Sequence, residues 1–391
     1  MADTRSTVAI IQYSSSRDGS AWSGLLLADG LRDAGFGTCV IFGHDGPMVA
    51  EYRTSGHYVH VCHHLSWLRH ADLARFTRDL IVEWKNASGV ALQLADCGAD
   101  VVYINTSVSL AGLIAARRLD LPVIWHLREL FADVGGEMKV PYVLKSFVRR
   151  VFVQFASSVV APSRIIAQDM LGRNADLAQI VPNAAGAEYF DCELSPAEAR
   201  DRLGLPANRT IIGLPGMLRP MKGHSFFFRA IAPLLQERAE LTVAVTGSGK
   251  DRYESRLRAE LAGLGIADNI LFLGVIDDMP ALYRSCDMTV VPSRNEPFGR
   301  TVIESMATGC PVVASRVGGI PEIIRHEETG LLFEFGDEEA LRSCVKRLLD
   351  DPVSAATVVD QARARALTEY HESSYKRRIA GLVLEALESA S

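Results

Sequence analysis

The chain has 391 residues, enough for two domains or at most three, and too many for one small core. Hydrophobic residues make up 48%, charged residues 23% and aromatics 7%, which excludes disordered, collagen-like and coiled-coil chains. With 41 Lys plus Arg against 47 Asp plus Glu, the net charge is -6 and no basic block stands out, so nucleic acid is not an expected partner: duplex binding needs an excess of cations to displace counterions.

Short, continuously apolar runs rich in β-branched residues recur between longer stretches of helical period. In the first half they fall at 8–13, 38–42, 101–104, 123–127 and 159–162, and in the second at 210–214, 241–246, 270–273, 288–292, 311–314 and 331–335. Such runs read as parallel strands buried on both faces, and their alternation with helices makes the class α/β. Between the two sets, over roughly 183–208, small and polar residues with Pro196, Gly204 and Pro206 mark a domain boundary. The expected domains are 1–190 and 191–370, each a Rossmann-like, doubly wound sheet, with a C-terminal helix at about 370–391 packing back on the first. The carboxyl ends of both sets of strands are expected to face a shared cleft, where open α/β sheets bind ligands.

After Asp3 and Arg5 the apolar run is too short for a signal peptide, and no run approaches the ~18 residues of a membrane-crossing helix. The seven cysteines (39, 62, 97, 192, 286, 310 and 344) are scattered without a ligand or disulfide pattern and read as reduced thiols. A cytoplasmic protein is expected, with any membrane contact peripheral and at the inner face. His57, His60, Cys62, His63, His64 and His70 are crowded together, but along a strand His63 and His64 point to opposite faces, so no metal site is expected. Residues 139–155 interleave apolar residues with Lys145, Arg149 and Arg150, which fits either a basic amphipathic helix on anionic lipid or a core helix with a solvated basic edge.

Two strand ends in the first half carry polar residues suited to a ligand. The run at 8–13 leads into Ser14-Ser-Ser-Arg-Asp-Gly19-Ser20 and a helix of period 3.6 through Leu25, Leu26, Ala28 and Leu31. The run at 123–127 contains Trp125-His126-Leu-Arg128-Glu129. Either histidine or glycine could equally serve the fold, as a satisfied core side chain or as the pivot of a tight turn.

The most informative segment is Pro292-Ser-Arg-Asn-Glu296-Pro-Phe-Gly299-Arg-Thr-Val-Ile-Glu304-Ser-Met-Ala-Thr-Gly309-Cys-Pro311. A strand ends at Pro292, a loop carries Glu296, and a helix runs from about Gly299 until Gly309 caps it. Backbone amides of residues 298–301 and the helix dipole suit an anion such as a diphosphate. Glu304 lies some 7 to 8 Å further along the axis at about 1.5 Å per residue, roughly the distance from a phosphate to the ribose of the same nucleotide. The alternative is an ion pair of Glu304 with Arg300 on a solvated face, with Glu296 a plain loop carboxylate. Gly247-Ser-Gly249-Lys250 is not a phosphate loop of the Walker type, which would need glycine at Ala244 and a hydroxyl at Asp251.

Taken together these segments resemble the retaining glycosyltransferases of family four, which carry a Glu-x7-Glu signature and the two-Rossmann-domain GT-B fold. Glu296 and Glu304 match the signature, Gly216-Met-Leu-Arg219-Pro-Met-Lys222-Gly223 matches the Gly-x-Leu-x-x-x-Lys-Gly loop, and Gly247-Ser-Gly249 matches Gly-x-Gly after a strand. Leu273-Gly274 with Met279-Pro-Ala-Leu-Tyr283, Gly318-Gly-Ile-Pro-Glu322 and Thr329-Gly-Leu-Leu-Phe333 complete the set. The chain departs from a common form in having Met217 where an arginine usually follows the first glycine, and Asn183-Ala184 where Asn-Gly is usual.

The resemblance implies a metal-independent, retaining hexosyl transfer from a nucleoside-diphosphate sugar, a UDP- or GDP-sugar rather than an ADP-sugar, to an acceptor hydroxyl on a glycan, a lipid-linked glycan or a small molecule. The sugar nucleotide is a co-substrate and no cofactor is implied. The reaction would proceed at the front face without a covalent enzyme intermediate, in polysaccharide or glycoconjugate synthesis. The residues implied for catalysis are Glu296 on the sugar hydroxyls, Lys222 and Arg219 on the diphosphate, and His126 near the sugar. Donor binding falls to Glu304 on the ribose, Pro297, Phe298, Gly299, Thr301, Gly247, Gly249, Val275 and Met279, and the acceptor side to Gly19, Ser20 and Arg128. A nucleotide-sugar hydrolase or epimerase of the same fold, or a subunit that binds the donor without chemistry, is the alternative.

Overall fold

A computed structural model describes residues 6–17, 19–131 and 138–390; Asp3, Arg5 and Asp18, read above, lie outside them. The chain divides into two compact units, Met1–Asn183 with Glu372–Ser391, and Ala184–His371.

The first unit holds a parallel sheet of β1 (Thr7–Gln12), β2 (Gly37–Phe42), β3 (Tyr58–Val61), β4 (Val101–Ile104), β5 (Val123–His126), β6 (Ser158–Ala161) and β7 (Ala178–Ile180), in the order β3-β2-β1-β4-β5-β6-β7. The central strands are apolar on both faces because helices cover both, and Ile10, Ile11, Val102, Ile104, Ile124 and Trp125 are fully buried. Trp125 meets Phe152 edge to face with centroids 4.7 Å apart, and Trp67 meets Phe152 at 6.2 Å, which pins the Lys145–Phe155 helix to the sheet.

The sequence reading lacks β3 and β7, the two edge strands. β3 stops at Val61, so His63 and His64 follow the strand instead of alternating along it. The histidines are dispersed among separate partners: His57 on Asp29 at 3.0 Å, His70 on Asp79 at 2.7 Å, and His64 Nδ1 3.3 Å from the Ser109 hydroxyl. Among the described residues no group of three or more His, Cys, Asp or Glu is placed to hold a metal ion.

The second sheet comprises β8 (Thr210–Leu214), β9 (Leu241–Thr246), β10 (Ile270–Gly274), β11 (Met288–Val291), β12 (Val312–Ser315) and β13 (Leu331–Phe333), again parallel, in the order β10-β9-β8-β11-β12-β13. Pro162, Pro292 and Pro311 fall just outside their strands, where a residue without an N–H costs no ladder hydrogen bond.

The domain boundary expected over 183–208 falls at the start of that stretch, between Asn183 and Ala184, and the rest of it is folded into the second unit. It forms the helices Ala187–Phe190 and Pro196–Arg202, the latter started by a reciprocal Ser195–Glu198 capping box. Tyr189 and Phe190 pack with Val302, Ile303 and Met306, so the unit begins at Ala184, ahead of position 190. The chain returns to the first unit at Glu372, whose helix Glu372–Ala390 lies on the helix Gly19–Asp33. Lys376 crosses it at Gly30, where a Cβ would sit 2.6 Å from the Lys376 Cγ, and its Nζ reaches Asp33 at 3.1 Å. Among the described residues no helix is long and apolar enough to cross a membrane.

Candidate active site

Strand order marks where a ligand is expected in the second unit. Going out from the middle, the order reverses between β8 and β11, and in open α/β sheets ligands bind at the carboxyl ends of the strands at such a point. The loop after β8 closes with the short 3-10 turn Pro220–Lys222 and Gly223, whose φ of 76° is left-handed. A Cβ there would lie 1.8 Å from the Pro292 carbonyl oxygen, so glycine is what lets this loop touch the one after β11. Arg294 N donates to Met221 O at 2.8 Å across the same contact. Lys222 Nζ then reaches Glu296 Oε2 at 2.6 Å, with the Ser293 hydroxyl on the same oxygen at 3.3 Å. The Lys222 side chain is 29% exposed and that of Glu296 12%, so the pair is partly shielded from bulk solvent.

Neighbouring loops are stitched to this pair through backbone. Leu218 N donates to Ser248 O at 2.9 Å and Gly247 N to Gly274 O at 2.6 Å, which ties together the loops after β8, β9 and β10. A Cβ on Gly247 would meet Gly216 O at 2.3 Å and one on Gly249 would meet Leu218 O at 2.3 Å. The Gly247-Ser-Gly249 segment is thus a tight turn packed against the loop after β8. After β12, Gly319 N donates to Glu296 O at 3.0 Å, and Gly318, at φ 52°, leaves no room for a Cβ, which would fall 1.9 Å from that same oxygen.

The helix Arg300–Thr308 starts from Gly299 (φ 112°) with no side chain capping it and ends on Gly309 (φ 79°). Phe298 is buried, Pro297 and Thr301 are half-buried at the helix start. Glu304 does pair with Arg300, Oε1 accepting from Nη2 at 2.7 Å and from Nε at 3.1 Å. The face is not the solvated one that pairing suggests: Glu304 is only 5% exposed, and its Oε2 accepts from the Tyr283 hydroxyl at 2.9 Å. Tyr283, inside the motif at 279–283 but without a role in the sequence reading, is held well above the ordinary phenol range by burial and by the Glu304 charge. Arg219 is exposed where its loop turns, Val275 is 62% exposed, and Met279 opens the helix Met279–Ser285 half-buried. Arg219 is tied to the Lys222–Glu296 pair through backbone, Lys222 N donating to Arg219 O at 2.9 Å.

In the first unit the order reverses between β1 and β4, and there Asn105 donates to Gln12 Oε1 at 2.7 Å. Gly19 and Ser20 begin the helix that follows β1. His126, the last residue of β5, is fully buried; its Nδ1 lies 2.8 Å from the Tyr103 hydroxyl and its Nε2 meets no partner among the described residues. Burial, and then the nearby Arg128 charge, hold its imidazole well below the ordinary histidine range, so it is neutral. Arg128 is also buried. Its guanidinium donates to Asn105 Oδ1 at 2.6 Å, to Asn183 Oδ1 at 2.6 Å and to the Tyr375 hydroxyl at 3.3 Å, an engagement that the sequence pattern could not reveal.

Residues 18–186 match the family described as glycosyl transferase 4-like domain, and residues 196–365 the family of glycosyl transferases group 1. The chain is a tandem of two glycosyltransferase-family domains. It is 37% identical over 232 residues to a D-inositol 3-phosphate glycosyltransferase of Salinispora arenicola, covering 57% of this chain and 49% of the relative. With the enzyme of the same name from Acidothermus cellulolyticus the identity is 33% over 294 residues, 71% of this chain and 64% of the relative. The matches thus span about half to two-thirds of these relatives' own lengths. The structure of Anabaena HepE in complex with UDP and glucose has a TM-score of 0.82 at 24% identity, covering 96% of this chain and 98% of that one. This tandem therefore has the GT-B fold.

Proposed function

We propose that the protein is a retaining glycosyltransferase of family four, which moves a hexose from a UDP- or GDP-sugar to an acceptor hydroxyl in glycoconjugate or polysaccharide synthesis. The observation that carries this reading is the Lys222–Glu296 pair at 2.6 Å, set where the strand order of the second sheet reverses. An ammonium has three donors, so Lys222 can hold Glu296 with one and diphosphate oxygens with the others. Glu296 in turn accepts from sugar hydroxyls, Arg219 adds a second cation at the diphosphate, and Glu304, fixed by Arg300 and Tyr283, accepts from the ribose.

In the proposed reaction the acceptor oxygen bonds to the anomeric carbon as the bond from that carbon to the phosphate oxygen breaks. The acceptor's proton passes to the departing diphosphate, giving glycoside and nucleoside diphosphate. Negative charge grows on the leaving group, and Lys222 offsets it more in the transition state than in the ground state. In the first unit, Gly19 and Ser20 are the proposed acceptor side, and His126, neutral and with an Nε2 that meets no partner among the described residues, is the histidine proposed for the sugar. Arg128 acts there as a positioning residue through Asn105 and Asn183. UDP in the HepE complex and the inositol phosphate in the relatives' name agree with a uridine donor and a polyol-type acceptor. The proposed location is the cytoplasmic side of the membrane.

Incubation of the protein with UDP- and GDP-hexoses and glycan or polyol acceptors, with and without a chelator, tests the reading. Expected are the free nucleoside diphosphate and a glycoside of the donor's own anomeric configuration by NMR, unaffected by chelation. An inverted product, or turnover that stops with chelator, would overturn the mechanism.

A further inference from the structure

The first unit holds a helix, entered through the 3-10 turn Tyr142–Leu144, whose inner face is anchored and whose outer side exposes apolar and basic side chains. Val148, Val151 and Phe152 of the Lys145–Phe155 helix are buried, and Phe152 packs on Trp125 and Trp67, so the orientation of the helix is fixed. On the outside, Tyr142 is 86% exposed, Val143 77% and Phe147 50%. Val143, Phe147, Arg150 and Gln154 follow one another at helical spacing on that outer face. The bridge between Arg69 and Lys139 sets the approach to this helix beside the approach to the helix Leu73–Asp96, whose first residue, Leu73, is 54% exposed.

Charge says what would cover this face. Residues 138–155 contain Lys139, Lys145, Arg149 and Arg150 and no Asp or Glu, although the whole chain carries -6. Lys145 and Arg149 lean on the Phe131 ring at 5.7 and 5.9 Å, and Arg149 also donates to Asp169 O at 2.9 Å, while Lys139 and Arg150 stay exposed. A short helix of this kind is too brief to span a bilayer but suits its interface, with Tyr and Phe at headgroup depth and cations over acidic headgroups.

We infer that this face, built on Tyr142, Val143, Phe147, Lys139 and Arg150, docks the protein onto an anionic lipid bilayer. The inference does not depend on the sugar-transfer reading.

The test is sedimentation of the full chain with vesicles of phosphatidylcholine alone and of phosphatidylcholine with phosphatidylglycerol in equal parts. The wild type should bind the mixed vesicles, more weakly as salt rises, and leave the neutral ones unbound. The combined substitution Tyr142→Ser, Val143→Ser and Phe147→Ser should weaken binding by about ten-fold or more, and Lys139→Gln with Arg150→Gln by about five-fold per charge. Because all five side chains are exposed, circular dichroism and melting should match wild type. Absence of wild-type binding to the mixed vesicles, equal binding to neutral ones, or variants that bind like wild type would each overturn the inference. So would a dimer in sedimentation velocity that the triple variant dissociates, since a second copy would then own the face.

Discussion

Glu304→Ala separates a role in donor binding from a role in the fold. The carboxylate takes two donors from Arg300 on Oε1 and one from Tyr283 on Oε2. Breaking a buried ion pair from one side costs about 3–5 kcal/mol. The Arg300 side chain keeps 21% exposure, which puts the stability loss at the lower end, about 3 kcal/mol. If Glu304 also accepts from a ribose hydroxyl, a lost charged hydrogen bond weakens binding by a further ~1.5–3 kcal/mol, roughly 10- to 150-fold in Kd. Arg300→Met is the matched control: it removes the same pair but leaves the carboxylate to Tyr283 and the ribose. Thermal melting should show similar losses for both variants. Calorimetric titration with UDP and GDP should show the large affinity loss for Glu304→Ala and less than about ten-fold for Arg300→Met. Equal melting losses with unchanged nucleotide affinity in both would make Glu304 a purely structural partner of Arg300 and Tyr283, and would refute the ribose assignment.

A double-mutant cycle of Lys222→Met and Glu296→Gln, read in kcat/KM for the donor, should give a coupling of about 1 kcal/mol, reduced from the buried-pair range because Lys222 is 29% exposed; additive effects would mean the pair does not act together. Gly318→Ala should cut turnover by at least about ten-fold, because its Cβ falls 1.9 Å from Glu296 O, whereas Gly336→Ala, also at positive φ (100°) but in open space, should only lower the melting temperature slightly; equal turnover in the two would refute the close-packing argument. Acid should destabilise the fold through His64 and His224, whose pKa values are lowered from 6.5 to about 4, by burial first in both, then by His44 and His63 for one and Lys222 for the other. Between those values the unfolded chain binds protons that the folded one does not. Their contribution is therefore complete above about pH 6.5 and lost at about 1.4 kcal/mol per unit for each histidine as pH falls toward 4. Melting curves across that window should show His64→Gln with His224→Gln flattening the slope, and an unchanged slope would count against their buried, neutral state.

Where burial is two-sided, the sequence carries the fold openly. The runs at 101–104, 210–214 and 241–246 coincide with β4, β8 and β9, because a strand covered by helices on both faces has no polar position to blur its limits. The missed strands are the edges. Tyr58-Val-His-Val61 is exposed or half-exposed along its length, and Ala178-Gln-Ile180 has only three residues, so neither needs an apolar run and neither announces itself. Over 183–208 the sequence marks the boundary but not its exact place, for a related reason. The prolines and glycine of this stretch punctuate two short helices, and what commits it to the second unit is the burial of Tyr189 and Phe190 against a helix more than a hundred positions later.

For the candidate site, glycines and local spacing tell which loops must approach something closely, but not what they approach. Gly223, Gly247, Gly249 and Gly318 stand in the sequence as motif glycines; in the structure each is the point where one loop's backbone touches another's, and a single methyl would part them. Likewise Glu304 and Arg300 are legible as neighbours on one helix turn, yet the Tyr283 hydroxyl that closes on their buried pair comes from another helix. Arg128 has partners 23, 55 and 247 positions away, so no window along the chain contains its environment. Lys222 and Glu296 stand 74 positions apart and meet because β8 and β11 are adjacent in the sheet, a neighbour relation set by the order in which the strands assemble. Residue type and spacing therefore nominate the groups at each strand end, and the strand order decides which of them share a ligand. That is why a change in the backbone contacts at Gly223 or Gly318 should disable Lys222 and Glu296 together while leaving both side chains in place.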